Sequence, residues 1–207
     1  MKLGIALVNT KPGTAKTTSG FMLAYALHKR GEDVVLFDAD PAGSTLAWSD
    51  AIGGCPFDVV GLPQNQPGTK LGAYTRPDSI AVVDNPQAED HGKVVRSILR
   101  VVDEAVVTVA PSLIEIERTS LMAEVLEEVE ETRNEPLRTS VLLNRVASRA
   151  ESGPMAREAL AGAGYDVLAS EIPRLDLYPM AYGRVPSAAA LAPFEPLAAE
   201  LLARAGA

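Results

Sequence analysis

The densest chemistry in this 207-residue chain lies near its start, in Asn9-Thr10-Lys11-Pro12-Gly13-Thr14-Ala15-Lys16-Thr17-Thr18. These residues stand between an apolar run, Leu3–Val8, and a stretch that reads as a helix, Lys16–Arg30. A helix start offers N–H groups without intrahelical partners at the positive end of the helix dipole, and anions such as phosphate bind there. Lys16 adds a point charge for terminal phosphates, and the Thr17 hydroxyl adds an oxygen for magnesium. The ordinary pattern G-x-x-x-x-G-K-[ST] is not met, because it needs glycines where Thr10 and Ala15 stand. A Lys-Thr-Thr turn also arises for purely structural reasons, so the reading leans on three further features.

Each of the three follows an apolar run, where a parallel sheet presents ligand-binding residues at the carboxyl ends of its strands. Asp38-Ala-Asp40-Pro-Ala-Gly43-Ser44 follows Val34–Phe37. Carboxylates two residues apart in extended chain point the same way, and beside phosphates such a pair handles magnesium-bound water and orients an attacking water. An exposed Asp-Pro turn is the structural alternative. Asp84 ends Ile80–Val83 in the form of a Walker B element, with a turn or helix-capping aspartate as its alternative. Asn144 follows Val141–Leu143, and its amide can pair a donor and an acceptor with an adenine edge.

The elements that must position these residues are six short runs rich in Val, Ile, Leu and Ala: Leu3–Val8, Val34–Phe37, Ile80–Val83, Ala105–Val109, Val141–Leu143 and Val167–Ile172. They lack polar alternation, as strands covered on both faces do, and most are far enough apart for crossover helices. The pattern predicts an α/β fold, P-loop NTPase-like, with a mostly parallel twisted sheet and helices on both faces. Two helices stand out. Lys16–Arg30 is stopped by Gly31, and Ser112–Arg133 opens on a capping box, Ser112-Leu-Ile-Glu115, with Leu121, Met122, Val125, Leu126 and Val129 on its apolar face. Cys55–Asp78 reads as irregular chain, and the Ala- and Leu-rich stretch Ala188–Ala207 reads as packed on the sheet. Residues 1–207 are expected to form a single domain.

Composition narrows the function classes. The chain is 47% hydrophobic and 22% charged, with a formal charge of −8, which excludes a globally basic nucleic-acid binder. Eight acidic residues against Arg118 and Arg133 give −6 between Glu115 and Glu135, read as a solvated helix face, and leave the rest of the chain near neutral. A local basic patch is therefore compatible with the sum. The single Cys55 excludes a disulfide or multi-thiolate metal site within the chain and suits a reducing, cytoplasmic setting. The leading apolar run is too short for a signal peptide, so no targeting segment and no membrane association are expected. His28, His91 and Trp48 read as structural, and Cys55 has no activating neighbour in sequence.

Lys11 followed by Lys16 and Thr17 resembles the deviant Walker A loop, K-G-G-x-x-K-[ST], of the ParA/MinD ATPases. The resemblance continues through Asp38-x-Asp40-Pro, Gly43-Ser44 and Trp48, Asp84 with Pro86, Asn144 and Ile172-Pro173, and so spans essentially the whole chain. It is nearest to the small, ParF-like ParA proteins of plasmid partition that lack an N-terminal helix-turn-helix domain. It implies ATP and Mg2+ as ligands. The backbone of Gly13, Thr14, Ala15, Lys16, Thr17 and Thr18 would hold phosphates, with Asn144 and Pro173 at the rest of the nucleotide. Thr17, Asp38 and Asp84 would hold magnesium. Lys11, Lys16 and Asp40 would carry catalysis: Lys11 reaching the nucleotide of a partner subunit, Lys16 contacting phosphates and Asp40 positioning water. The implied partners are a second copy on ATP binding, nonspecific DNA and a ParB-like centromere-binding or adaptor protein that stimulates slow hydrolysis. The implied location is cytoplasmic, and nucleoid-associated when ATP-bound. Arg145, Arg149, Arg174 and Arg184 are the candidate DNA-binding residues. Pro12 and Ala15 depart from the loop's glycines, and Asn85 stands where threonine is common. Positioning of a protein cargo, an ATP-dependent carboxylate-activating enzyme and a binding-only switch remain open as alternatives, while a single cysteine argues against a bridging iron–sulfur cluster.

Overall fold

A computed structural model describes residues 1–62 and 66–206. Pro63, Gln64 and Asn65, within the stretch expected to be irregular, and Ala207 lie outside the described residues. In chain order the elements are β1 (Leu3–Val8), α1 (Lys16–Lys29), β2 (Val34–Asp38), α2 (Ser44–Ala51), β3 (Asp58–Gly61), α3 (Leu71–Tyr74), β4 (Ile80–Asp84), α4 (Ala88–Leu99), β5 (Glu104–Val109), α5 (Leu113–Glu130), β6 (Arg138–Val146), α6 (Ser152–Gly162), β7 (Val167–Pro173), α7 (Ala188–Leu191) and α8 (Phe194–Ala205). A 3-10 turn, Pro67–Lys70, leads into α3.

The described strands form one seven-stranded sheet in the order β3-β2-β4-β1-β5-β6-β7, and every pairing is parallel. The chain winds outward from β1 in both directions, so the carboxyl ends of β1, β4 and β5 open a crevice at the point of reversal. Alternation within β1 explains the two-sided core. Leu3, Ile5 and Leu7 face one apolar layer with Phe21, Leu23, Trp48, Phe194 and Leu201, while Ala6 and Val8 face the other with Val95, Ile98, Met122 and Leu160. Trp48 stacks on Phe21 with ring centroids 4.1 Å apart, so it is a packing residue. α8 buries Leu197, Ala198 and Leu201, as its composition predicts. Among the described residues no helix is long and apolar enough to cross a membrane.

Three expectations are corrected. Cys55–Asp78 is not all irregular: it holds β3, the 3-10 turn and α3. β3 is a short, half-exposed edge strand, so it lacks the apolar run that marks the buried ones. The helix at Ser112 starts where predicted but without the capping box. The Ser112 side chain makes no capping bond, and its carbonyl accepts the Glu115 N–H at 3.1 Å and the Ile116 N–H at 3.0 Å. On the same helix Met122, Val125 and Val129 are buried, whereas Leu121 is exposed, because the buried stripe is narrower than the apolar pattern.

Candidate functional site

Between β1 and α1 the chain turns through two left-handed residues, Gly13 at φ +72 and Ala15 at φ +68. Glycine enters this region freely, but alanine does so at a cost of about 1 kcal/mol. Ala15 is the residue before α1, and no side chain caps the helix, which leaves its leading N–H groups available to an anion. Asn9 ties this turn to the sheet. Its amide donates to the Thr108 carbonyl at 2.8 Å, and its Oδ1 accepts the Lys11 N–H at 3.0 Å. Thr108 in turn hydrogen-bonds Thr14, hydroxyl to hydroxyl, at 3.2 Å.

Lys16 is buried, and its Nζ donates to the Lys11 carbonyl at 2.9 Å. Burial holds its pKa below the usual lysine value, while Asp84 and Asp40 act in the opposite direction. The two loop lysines are therefore coupled through backbone: the ammonium of one is held by the carbonyl of the other. The Lys11 side chain lines a separate groove of about 600 Å³ with Lys93, Arg96, Arg118 and Glu89. This groove between α4 and α5, flanked by the exposed Leu121, carried no pattern in sequence.

The acidic residues converge on the same crevice. Asp84 is fully buried; its Oδ2 accepts the Thr45 hydroxyl at 2.8 Å, and its Oδ1 has no hydrogen-bond partner. Burial raises its pKa from 3.8 to about 7; Thr17, Thr45 and Lys16 pull it down, and Asp38 pushes it further up. Asp38, also buried, accepts the Asp40 N–H at 3.1 Å on one oxygen and the Leu46 N–H at 3.0 Å on the other, so it shapes the turn into α2. Desolvation raises its pKa against those bonds. Asp40 is half-exposed and accepts the Ala42 N–H at 2.9 Å. Thr45 and Asn9 are site residues that the sequence reading missed; only their closeness to the Gly43-Ser44 and Lys11 motifs signalled them.

Whether this donor set suits a divalent cation is decided by its unmet valence. Among the described residues there is no cluster of three or more His, Cys, Asp or Glu side chains able to cage a metal by themselves. Two buried carboxylates beside a threonine hydroxyl, one with an orphan oxygen, instead suit a magnesium ion that keeps water and takes its remaining oxygens from phosphates. The residues fit that ion.

A cleft of about 720 Å³ runs from Ala15, Thr18 and Ser19 on the start of α1 to Asn144, Arg145, Pro173 and Arg174 at the ends of β6 and β7. The predicted Asn144 and Pro173 thus line one cleft with the start of α1. Asn144 is buried, and its amide donates to the Ser19 hydroxyl at 2.8 Å. Of the four candidate arginines, all exposed, Arg145 and Arg174 line this cleft, whereas Arg149 and Arg184 do not. Arg184 is placed by its carbonyl, which accepts the Trp48 Nε1–H at 3.0 Å. None of the four joins an ion pair among the described residues.

Comparison with known proteins agrees with this fold. The family model for the CobQ/CobB/MinD/ParA nucleotide binding domain matches residues 5–184. No curated protein matches the chain. Among solved structures, the chain is similar to a putative plasmid partition protein of Borrelia burgdorferi bound to AMPPNP, with 14% identity, 98% of each chain covered and a TM-score of 0.73. It is similar to MinD of Pyrococcus horikoshii complexed with Mg-ADP, with 20% identity, 100% of this chain and 98% of that one covered, and a TM-score of 0.72. It is also similar to cobyrinic acid a,c-diamide synthase of Mycobacterium smegmatis with bound ADP and magnesium, with 17% identity, 98% and 94% covered, and a TM-score of 0.77. At these identities the likeness is one of fold.

Proposed function

Since the chain belongs to the CobQ/CobB/MinD/ParA nucleotide-binding family, we propose that it is a ParA-type ATPase of plasmid or chromosome partition, acting over residues 1–207 as one unit. The observation that carries this reading is the paired-lysine loop, with Lys16 buried on the Lys11 carbonyl, beside the buried Asp84 and the half-exposed Asp40.

In this reading ATP phosphates enter at the start of α1 and take over the Nζ of Lys16 from the Lys11 carbonyl. Thr17, Asp38 and Asp84 would hold magnesium, and the ion would supply charge neutralisation at the terminal phosphates. Asp40, half-exposed at the turn into α2, orients the attacking water. Lys11, in the groove outside the loop, reaches the nucleotide of a second copy, so ATP joins two chains face to face. Asn144 and Pro173 contact the base. The dimer associates with nonspecific DNA through a patch drawn from Arg145, Arg149, Arg174 and Arg184, doubled by symmetry, which overcomes the repulsion expected of a chain at −8. A ParB-like or other adaptor protein stimulates slow hydrolysis, and the groove beside Lys11, with exposed Leu113, Ile114 and Leu121 on α5, supports such docking. The protein is cytoplasmic and joins the nucleoid when ATP-bound.

Sedimentation with ADP, ATP and a nonhydrolysable analogue, with and without nonspecific DNA, tests this. Dimers are expected only with Mg-ATP or the analogue, persisting in Asp40→Ala without phosphate release and absent in Lys11→Ala. A protein that stays monomeric with Mg-ATP even as Asp40→Ala refutes the sandwich dimer, and DNA binding by the nucleotide-free monomer refutes the account of charge. The fold likeness to the cobyrinic acid a,c-diamide synthase favours a second reading, ATP-dependent activation of a carboxylate on the same scaffold. ATP turnover by a persistent monomer, dependent on an added carboxylic acid, would select it. A protein cargo in place of DNA would leave the sedimentation unchanged and alter only the adaptor.

A further inference from the structure

β6 does not enter the cleft in regular register. Asn144 lies opposite Ile172 and Val146 opposite Pro173, so β6 fits one extra residue, Arg145, against a single step of β7. This is a β-bulge, a device that re-aims a side chain and is common beside functional sites. Pairing resumes immediately, with the Arg174 N–H donating to the Val146 carbonyl at 2.8 Å; a separate register shift lies upstream, between Val141 and Leu143. Arg145 itself adopts φ +57, a left-handed conformation that glycine takes freely and a side chain with a Cβ resists. An arginine is held there nonetheless. It is exposed at the wall of the cleft beside Pro173 and joins no ion pair among the described residues.

The cleft fixes what Arg145 faces. The first turn of α1, at the phosphate loop, lines it together with Arg145 and Pro173, and Asn144 ties the two walls through its hydrogen bond to Ser19. Whatever is bonded to phosphates seated at α1 therefore shares this cleft with Arg145. A guanidinium is planar, permanently charged and purely a donor, and it stacks on aromatic faces where an ammonium only attracts. We propose that Arg145 is a specificity-determining residue: the bulge at the end of β6 holds its guanidinium flat against the purine of the bound nucleotide. It belongs to the base end of the nucleotide site and not to a DNA-binding patch. The inference rests on the nucleotide-binding reading above and adds to it the residue that selects the base.

Calorimetric binding of ATP, CTP and inorganic tripolyphosphate, each with magnesium, to the full chain and to Arg145→Ala, Arg145→Lys and Arg145→Gly provides the test. Alanine and lysine are each expected to weaken ATP about tenfold, the scale of one stacked cation, and to narrow the preference for ATP over CTP. Tripolyphosphate binding stays within about twofold, because the phosphate end is untouched. Arg145→Gly weakens ATP equally while raising the melting temperature of the nucleotide-free protein by about 2 °C, the strain being relieved. The inference is overturned if alanine leaves ATP affinity unchanged, if lysine restores it fully, or if tripolyphosphate is lost in parallel with ATP. A wild-type chain that binds neither ATP nor tripolyphosphate overturns the nucleotide reading itself.

Discussion

Asp84 offers the sharpest quantitative test of the site, because its carboxyl is fully buried with one oxygen unpartnered. Its pKa of about 7 in the fold lies above the ordinary value of 3.8. Folding therefore favours the protonated acid. The stability this group contributes is full below about pH 4 and is lost as pH rises through about 7. The difference corresponds to about 4 kcal/mol in total, of which roughly 2–3 kcal/mol falls between pH 5 and pH 8. Asp84→Asn keeps the shape and the Thr45 contact but cannot ionise. Without nucleotide or magnesium, its margin over wild type should grow with pH, and at about 3 °C per kcal/mol the gap in Tm should widen by about 7 °C from pH 5 to pH 8. Thermal melts followed by circular dichroism at unit pH steps measure this directly. Adding Mg-ATP at pH 8 should raise the wild-type Tm and leave the variant nearly unmoved, because the ionised carboxylate then has a cation to face. A gap that does not change with pH would show that Asp84 is already ionised in the free fold, and the argument from burial would fail.

Two further substitutions separate strain from support. Ala15→Gly removes the methyl from a left-handed position at φ +68; the nucleotide-free protein should gain about 1 kcal/mol, read as a Tm rise of about 3 °C, with ATP affinity retained in a fluorescent-nucleotide titration. Glu104, buried at the start of β5, accepts bonds from Ser140 at 2.7 Å and Arg138 at 3.0 Å and pairs with Arg204 at 3.1 Å. Glu104→Ala leaves these partners facing an uncompensated site and should cost about 3–5 kcal/mol in urea unfolding, with nucleotide affinity of the folded protein unchanged.

The parts of the fold legible in sequence are those set by burial on both faces. Residues 3–8 and 80–84 are covered by both apolar layers, so each strand reads as an unbroken apolar run, and the first polar residue beyond the run marks the sheet's carboxyl edge. Asp38, Asp84 and Asn144 were found that way. β3 was not, because an edge strand of the composition Asp-Val-Val-Gly meets solvent and needs no such run. Thr45, Asn9 and Ser19 were not singled out because their roles arise across the fold, with Thr45 meeting Asp84, Asn9 meeting Thr108 and Ser19 meeting Asn144. An ordinary hydroxyl or amide carries no sign of a partner brought to it by a parallel crossover. The groove between α4 and α5 escaped for the same reason, since its cations come from the loop and from two helices.

Strain and unmet polarity gather at the crevice, and this bears on whether Pro12 and Ala15 have dismantled the site. Ala15 and Arg145, two of the four non-glycine residues with positive φ among those described, line one cleft. Among the described residues, the two buried side-chain atoms without hydrogen-bond partners, Asp84 Oδ1 and Asn85 Oδ1, belong to adjacent residues where β4 ends beside the loop. None of these features stabilises the free fold; each is a cost of about 1 kcal/mol or more that packing elsewhere must offset. A chain that no longer bound a ligand would gain stability from a glycine at 15 or 145 or an asparagine at 84. The loop instead keeps its left-handed turn with alanine in place, and Lys16 remains buried on the Lys11 carbonyl. Pro12 removes one N–H donor ahead of Gly13, on the exposed side of the loop, and leaves the N–H groups that begin α1 untouched. The departures therefore lower the stability of the free protein without removing the groups that phosphates would meet, and the place to look for their effect is the Tm difference between the free and nucleotide-bound chain.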